Sequence, residues 1–225
     1  MTGRRTLAIA ALLGSVVCGV VACLSPRSLP EMVHYTLAPP GAPTENLGGP
    51  VRVRRFGIDP VYANVRLAHR SSPYRIEYYT FHRWAGPPQD VVTSAVRDYL
   101  DRAPAAPAGP PVVVSGIVRR LEERLGPAEG QAATPVGNAK RSGSRVRSGL
   151  VAIEFTVHRD GRVILDREYE QSETAAGGTP EESVAAISRA LARMLDQLVR
   201  DVRQAEAGGS QPADVPGTQP MERVR

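Results

Sequence analysis

Apolar and polar residues alternate most regularly in the segment 149–172, on either side of Asp160 and Gly161. Alternation with a period of two is typical of a strand that buries one face. An Asp-Gly pair favours the two-residue turn of a β-hairpin, in which both positions have a positive φ. The segment therefore predicts a hairpin. The positions expected to face the core are Val151, Ile153, Phe155, Val157, Val163 and Leu165.

Two other segments carry apolar residues at the spacing of three and four that is typical of an amphipathic helix. The first begins near Pro88, since proline suits the first helical turn. The second begins with Thr179 as N-cap, Pro180 at the first helical position and Glu182 completing a capping box, and it ends at Gly208. The predicted apolar faces are Val92, Ala95, Val96, Tyr99 and Leu100 in the first helix and Val184, Ile187, Leu191, Leu195, Leu198 and Val202 in the second.

Runs of β-branched and aromatic residues predict further strands at 33–40, 51–58 and 74–81. The segment 112–125 alternates at its start and also indicates a strand, although its second half taken alone is compatible with a helix. Residues 126–148 have no apolar periodicity and predict a long loop. The order strands, helix, strands, helix predicts an α+β fold: a two-layer sandwich of one mainly antiparallel sheet with both helices packed on one face.

The composition fits one domain of ordinary size. The chain has 225 residues, 42% of them hydrophobic, together with 20 prolines and 21 glycines, so we expect a modest core with long connectors. Residues 33–205 are predicted to form this domain. Residues 206–225 are polar and contain Pro and Gly, and we expect them to be a disordered tail.

The N-terminus has the pattern of a secretory signal peptide at 1–22, where Arg4 and Arg5 precede an apolar run shorter than the ~20 residues of a spanning helix. An uncleaved anchor helix is the alternative. The sequence Val-Val-Ala-Cys at 20–23 resembles the bacterial lipobox, with an aliphatic residue three before the cysteine and a small residue directly before it. Cys18 follows a bulky valine and does not fit this pattern.

The lipobox resemblance implies that Cys23 becomes the first residue of the mature protein and carries a diacylglycerol thioether and a further acyl chain such as palmitate. Residues 23–32 would then be a lipidated tether. Two or three chains hold a protein essentially permanently, because each buried CH₂ contributes about 0.8 kcal/mol. Leu24 follows the cysteine where enteric sorting signals have Asp, which favours the outer membrane, with the domain facing the periplasm.

The net charge gives no reason to expect a nucleic acid as partner. The full chain carries +5, and removal of the signal with its two arginines leaves 26 basic residues against 23 acidic ones. This excess is small and dispersed.

The segment 58–92 is the most distinctive part of the chain, and it resembles the ABC-type transport auxiliary lipoproteins, which accompany mammalian-cell-entry-domain lipid transporters. Two features match in order: the Tyr-Thr-Leu strand at 35–37, soon after the lipobox, and Arg-Trp-Ala-Gly-Pro-Pro at 83–88, entering a helix. The resemblance covers roughly residues 33–203 in element order. The connector 103–111 and the predicted loop depart from the family pattern as insertions.

The resemblance implies a non-catalytic accessory subunit that docks the transporter's substrate-binding component to the outer membrane. The implied partners are that mammalian-cell-entry-domain protein, the other transporter components and the membrane itself, with a homo-oligomer left open and no cofactor. Tyr79 and Trp84 are the docking residues we would select, since large rigid aromatics anchor interfaces. The alternative is that they pack the sheet against the first helix. Adjacent Tyr78 and Tyr79 should point to opposite faces of their strand.

Candidate chemistry elsewhere is sparse. The four histidines are scattered without metal-ligand spacing, so we expect no metal site. Ser115 has Val113 where a nucleophile elbow requires Gly, and no phosphate-cradling loop follows a strand. We therefore expect no enzyme activity, and the transporter's ATPase would be another polypeptide. The cations Lys140, Arg141, Arg145 and Arg147 either meet anionic headgroups or belong to a solvated loop.

Two rival functions use the same anchor. One is an envelope-assembly lipoprotein that scaffolds an outer-membrane machine, which co-purification with a barrel protein would distinguish. The other is a lipoprotein hydrolase, which would lose its activity on mutation of Ser115 or of a histidine.

Overall fold

An eight-stranded mixed sheet with two helices forms the framework. A computed structural model describes residues 30–106, 108–127 and 145–209. The strands are β1 (Val33–Tyr35), β2 (Val51–Val53), β3 (Gly57–Ile58), β4 (Arg66–Ser72), β5 (Arg75–Trp84), β6 (Val112–Pro127), β7 (Arg145–Arg159) and β8 (Arg162–Thr174). The helices are α1 (Pro88–Leu100) and α2 (Pro180–Gly209), and a 3₁₀ turn covers Pro60–Tyr62. Within the described residues neither helix is long and apolar enough to cross a membrane.

The strand order is β1-β5-β4-β6-β7-β8, and β2 and β3 pair with β6 beside β4. The pairs β4–β5, β6–β7 and β7–β8 are antiparallel, whereas β1–β5 and the pairs of β6 with β2, β3 and β4 are parallel. The expected α+β fold is thus confirmed. The sheet is mixed, so the expected mainly antiparallel sheet is only a rough description: the long pairings are antiparallel and the short ones are parallel. The parallel pairs of β6 arise because the chain crosses over through α1 before β6 returns alongside β2, β3 and β4.

The β7–β8 hairpin confirms the prediction from alternation. Asp160 and Gly161 have φ values of 50° and 74°, as a two-residue turn with positive φ requires. Val163 is the exception, because the register shifts between the pairs Val157–Leu165 and His158–Val163. This bulge leaves Val163 54% exposed instead of in the core.

Helix α2 begins as its capping box predicts. The amide of Glu182 donates to the Thr179 hydroxyl at 3.3 Å, and the Thr179 amide donates to the Glu182 carboxylate at 2.9 Å. The predicted apolar face of each helix is buried. Helix α2 continues to Gly209, so the first residues of the predicted tail are helical; 210–225 lie outside the described residues.

Both helices and the sheet share one apolar core. Phe56 and Tyr169 each pack edge-on against Phe155, at centroid distances of 5.7 and 5.9 Å. The Tyr99 hydroxyl of α1 donates to Asp196 of α2 at 2.9 Å. Burying such apolar side chains contributes about 1.5–3 kcal/mol each.

Several strands begin or end at residues other than those predicted. The strand expected at 33–40 ends at Tyr35, and the one at 51–58 is broken where Phe56 turns into the core and its amide donates to the Thr93 hydroxyl at 3.0 Å. Strand β4 was not predicted. The segment 112–125 is a strand throughout, not a helix.

The ends of the predicted loop 126–148 are also strand, because β6 extends to Pro127 and β7 begins at Arg145. Residues 128–144 lie outside the described residues.

Candidate functional site

Two consecutive residues of β6, Glu122 and Glu123, are the only fully buried charged side chains among the described residues. Successive side chains of a strand point to opposite faces. Glu123 therefore lies on the face that carries the helices, together with its cross-strand partner Gly149, and Glu122 lies on the outer face with Leu150. Each carboxylate must find its own partners, since an unpaired charge in the interior is very costly.

Tyr79 and Arg147 supply the partners of Glu123. The Tyr79 hydroxyl donates to its two oxygens at 3.1 and 3.2 Å. Arg147 donates to the same carboxylate at 2.6 Å and to the Tyr79 hydroxyl at 2.9 Å. Burial, and then the charge of Glu123, raises the pKa of Tyr79, which keeps this phenol protonated and donating.

A row of four rings extends from this cluster across β4 and β5 to β1. His69 lies 4.6 Å from Tyr79 between centroids, and Tyr79 lies 5.3 Å from His82. His82 stacks on Tyr35 at 5.8 Å, and the Tyr35 hydroxyl is 2.9 Å from His82 Nδ1. The row thus ties the short first strand, which directly follows the predicted tether, to the buried carboxylate of β6.

Glu122 has a second set of partners on the outer face. Its carboxylate accepts from the Tyr62 hydroxyl at 2.7 Å, from Arg70 Nε at 3.0 Å and from Arg124 Nε at 3.1 Å. Burial, and then the hydrogen bond to Glu122, raises the pKa of Tyr62 to about 12. Two guanidinium groups on one carboxylate leave an excess of positive charge at this end of the sheet.

The rest of the outer face carries charged rows instead of an apolar layer. Arg120 pairs with Glu170 at 2.8 Å, and Arg119 pairs with Glu154. Both pairs are partly exposed, so each contributes little to stability. Ile117 is an apolar residue on this face that is 38% exposed. The two faces therefore differ: the helix side carries the main apolar core, and the outer side is polar apart from a small buried patch that includes Leu150.

Trp84 lies at the junction that the family resemblance pointed to. It is 3% exposed and belongs to the core, and its amide donates to the Val65 carbonyl at 2.7 Å. Pro87 and Pro88 then start α1. This position fits packing of the sheet against the first helix, the alternative considered for Trp84, and offers a partner almost no surface.

Trp84 and Tyr79 share strand β5 but differ in burial, because Trp84 belongs to the core and Tyr79 packs against it. Tyr79 is half-buried in the polar cluster, and Tyr78 points to the other side, where its hydroxyl donates to the Val61 carbonyl at 2.6 Å. Docking through Tyr79 or Trp84 stays a prediction. Arg147 is not part of a solvated loop, because it lies in strand β7 and is bound to Glu123.

Cys23, with residues 1–22 and the predicted tether up to 29, lies outside the described residues, as do Lys140 and Arg141 and the side chain of Arg145. Ser115 donates to the Thr156 carbonyl at 3.1 Å, a bond across the strand pair. Among the described residues no three His, Cys, Asp or Glu side chains gather as they would around a metal ion.

Sequence reasoning missed the buried pair Glu122–Glu123 and the partners Arg70 and Tyr62. A signal was present, because two adjacent glutamates in a segment interpreted as a strand must lie on opposite faces, and a central strand has both faces partly covered. The partners could not be predicted from the sequence, because Arg70 and Tyr62 lie 52 and 60 positions away from Glu122 in the chain.

No family model matches the chain, and no curated protein sequence matches it significantly. The crystal structure of protein XCC0632 from Xanthomonas campestris, of family model DUF330, is similar with a TM-score of 0.60 and 16% identity, covering 80% of this chain and 100% of that chain. The crystal structure of an uncharacterized protein is similar with a TM-score of 0.54 and 12% identity, covering 77% and 99%. At these identities the likeness concerns the fold alone.

Proposed function

We propose that this chain is a lipid-anchored, periplasm-facing accessory subunit of an ABC-type lipid transport system in a bacterial envelope. In this role the acyl chains on Cys23 hold the domain at the outer membrane, and the domain docks the transporter's substrate-binding component without catalysing a reaction. The observation that carries the proposal is the lipobox at 20–23, ten residues before the first strand of a folded domain.

The segment that resembles the auxiliary lipoproteins supports the more specific part of the proposal. Arg-Trp-Ala-Gly-Pro-Pro lies where three elements meet, since Ala85 donates to the Tyr35 carbonyl at 2.7 Å and α1 begins at Pro88. The six residues of this motif therefore have a structural role, because they connect β5, β1 and the start of α1. The fold resembles that of XCC0632 over 80% of this chain, but this likeness does not indicate an activity.

The polar outer face supports docking of a protein rather than enclosure of a lipid. A lipid carrier needs an apolar cavity. The cavity between β8 and the end of α2 has a volume of about 450 Å³, and its lining mixes the charged residues Asp166, Arg167 and Asp201 with apolar ones such as Ile164 and Leu165, so it is not an apolar cavity. The lipid itself is then carried by the partner, and this chain positions that partner.

Two cysteine variants test the anchor. Cys23→Ala should leave the protein unacylated and release it from the membrane fraction. Cys18→Ala should remain lipidated and serves as the matched control. Mass spectrometry of the mature N-terminus is the measurement, and an unmodified Cys23 in native membranes would contradict the proposal.

Cross-linking in intact cells, followed by affinity purification of the full chain, tests the partner. Recovery of an ATPase, a permease and a mammalian-cell-entry-domain protein is expected. Recovery of an outer-membrane barrel instead would favour the envelope-assembly role. Tyr79→Ala compared with Tyr78→Ala then tests docking, with urea unfolding of both variants to separate lost docking from lost stability.

A further inference from the structure

The β4–β5 hairpin presents an aromatic residue that the fold does not use. Tyr74, at its tip, is 97% exposed, more than any other large apolar or aromatic side chain among the described residues. The strands close just behind it, where Ser72 pairs with Arg75. A tyrosine in this position buries no area on folding, so packing gives no reason for it.

The tip is held in place by the buried part of the sheet. Arg70 donates to the Pro73 carbonyl at 3.1 Å while its Nε is bound to the fully buried Glu122. Arg75 pairs with Glu77 at 2.6 Å, and Glu77 also lies 3.4 Å from His69. Tyr74 is therefore presented on a fixed support.

The charges around the tip favour an anionic surface. Arg75 keeps 71% of its side chain exposed although it pairs with Glu77, and Arg124 shares Glu122 with Arg70. A tyrosine next to an arginine suits the headgroup layer of a bilayer, where amphipathic rings settle and cations are attracted by anionic lipids.

The direction of β1 shows from which end of β5 the chain enters β1. Val33 pairs in parallel with His82, so the chain that precedes Val33 approaches from the tip side of β5. Seven residues separate His82 from Arg75, about 23 Å along a strand. Seven residues also separate Cys23 from Pro30, and in any conformation they span at most about 25 Å.

We propose that the tip of the β4–β5 hairpin, with Tyr74 in the headgroup layer and Arg75 beside it, is a second membrane contact that orients the protein on an anionic phospholipid bilayer. This inference rests on the lipid anchor of the proposed function. A single point of attachment leaves the domain free to rotate, whereas a second contact fixes which face is turned toward the periplasm.

The mature protein suits a labelling experiment, because Cys23 would be acylated and Cys18 removed. A fluorophore on Ser72→Cys reports on the tip, and the same fluorophore on Val163→Cys, in the opposite hairpin and 54% exposed, is the matched control. The mature lipidated protein is placed in vesicles of phosphatidylethanolamine and phosphatidylglycerol that carry a headgroup-depth quencher. Quenching is expected at 72 and not at 163.

Two further variants, made in the Ser72→Cys background, test the named residues. Arg75→Ser should lower the equilibrium constant for binding of the tip to the bilayer about fivefold in anionic vesicles and much less in neutral ones. Tyr74→Ser should reduce quenching in both. Urea unfolding of each variant checks that the hairpin is intact.

The outcomes separate the two proposals. Cys23-dependent sedimentation with vesicles but equal quenching at 72 and 163 would overturn the second contact and leave the anchor standing. Protection of the reporter only after addition of an envelope protein would likewise overturn it, in favour of a protein partner. A lack of acylation at Cys23 would overturn both.

Discussion

Glu122 and Glu123 are neighbours in the chain, yet their carboxylates are bound on opposite faces of the sheet by two separate sets of side chains. On the outer face the set includes Tyr62 and Arg70, and on the helix face it includes Tyr79 and Arg147. Strand β6 is therefore fixed from both sides at one point. This point joins the N-terminal strands to the C-terminal hairpin.

Removal of one carboxylate should destabilise the protein strongly. Glu123→Ala leaves Arg147 partly buried without its charge partner, and breaking such a buried pair costs about 3–5 kcal/mol. Urea unfolding followed by circular dichroism is the measurement.

The control for this variant is Glu170→Ala. Glu170 pairs with Arg120 at 2.8 Å, with both side chains 41% exposed, so the expected cost is about 0–1 kcal/mol. Equal losses for the two variants would mean that Glu123 is not the fixed point described above.

The raised pKa of Tyr62 predicts that the folded protein loses stability at alkaline pH. The folded chain holds the phenolic proton more tightly than the unfolded chain, because burial and Glu122 raise the pKa of Tyr62 from 10 to about 12. This stabilisation is fully present below pH 10 and is lost as the pH rises through 12. Urea midpoints at four pH values across this window should fall less steeply for Tyr62→Phe than for the unsubstituted protein, and parallel curves would refute the assignment.

A side chain at position 149 should clash with α2, because Gly149 of β7 lies directly against this helix. A Cβ at this position would lie 2.7 Å from the Ser183 carbonyl oxygen, which is backbone and cannot move aside. Gly149→Ala should cost about 1–3 kcal/mol through overpacking. Gly126, also in a strand, has no atom within 4 Å of such a Cβ, so Gly126→Ala is the matched control in the same unfolding assay. A neutral Gly149→Ala would mean that the helix can shift away from the sheet.

The capping box at Thr179 is expected to contribute to the stability of the folded protein. Thr179→Ala removes the hydroxyl that accepts from the Glu182 amide and should lower the free energy of unfolding by about 0.5–2 kcal/mol. Thermal unfolding measures it, with the exposed Thr80→Ala as control. If both variants melt together, the first turn of α2 is held by other contacts.

The elements that were predictable from the sequence are those determined by local signals. The turn at Asp160 and Gly161, the capping box at Thr179 and the apolar face of each helix all depend on residues close together in the chain. Their patterns survive in the fold because the same side chains decide both the local conformation and the burial.

The missed features depend on distant residues. Strand β4 did not stand out because Arg70 breaks its apolar pattern, and Arg70 belongs in a strand only when Glu122 is opposite to receive it. The parallel pairing of β6 and the burial of Glu123 likewise follow from the crossover, which no local spacing encodes. The burial of Trp84 could not be decided from its residue type, because residue type does not distinguish a core aromatic from an exposed one; its docking role stays a prediction.

Strand β8 ends the sheet, and within the described part of the chain its far edge has no partner strand. Its exposed side chains are mainly charged: Arg162, Asp166, Arg167, Glu168 and Glu170. Molecules confined to a surface by acyl chains meet far more often than molecules free in three dimensions. An open apolar edge under such crowding would invite fusion of sheets between neighbours. The mixed charges of β8 discourage this, so an edge that pairs with no strand among the described residues would keep separate copies apart.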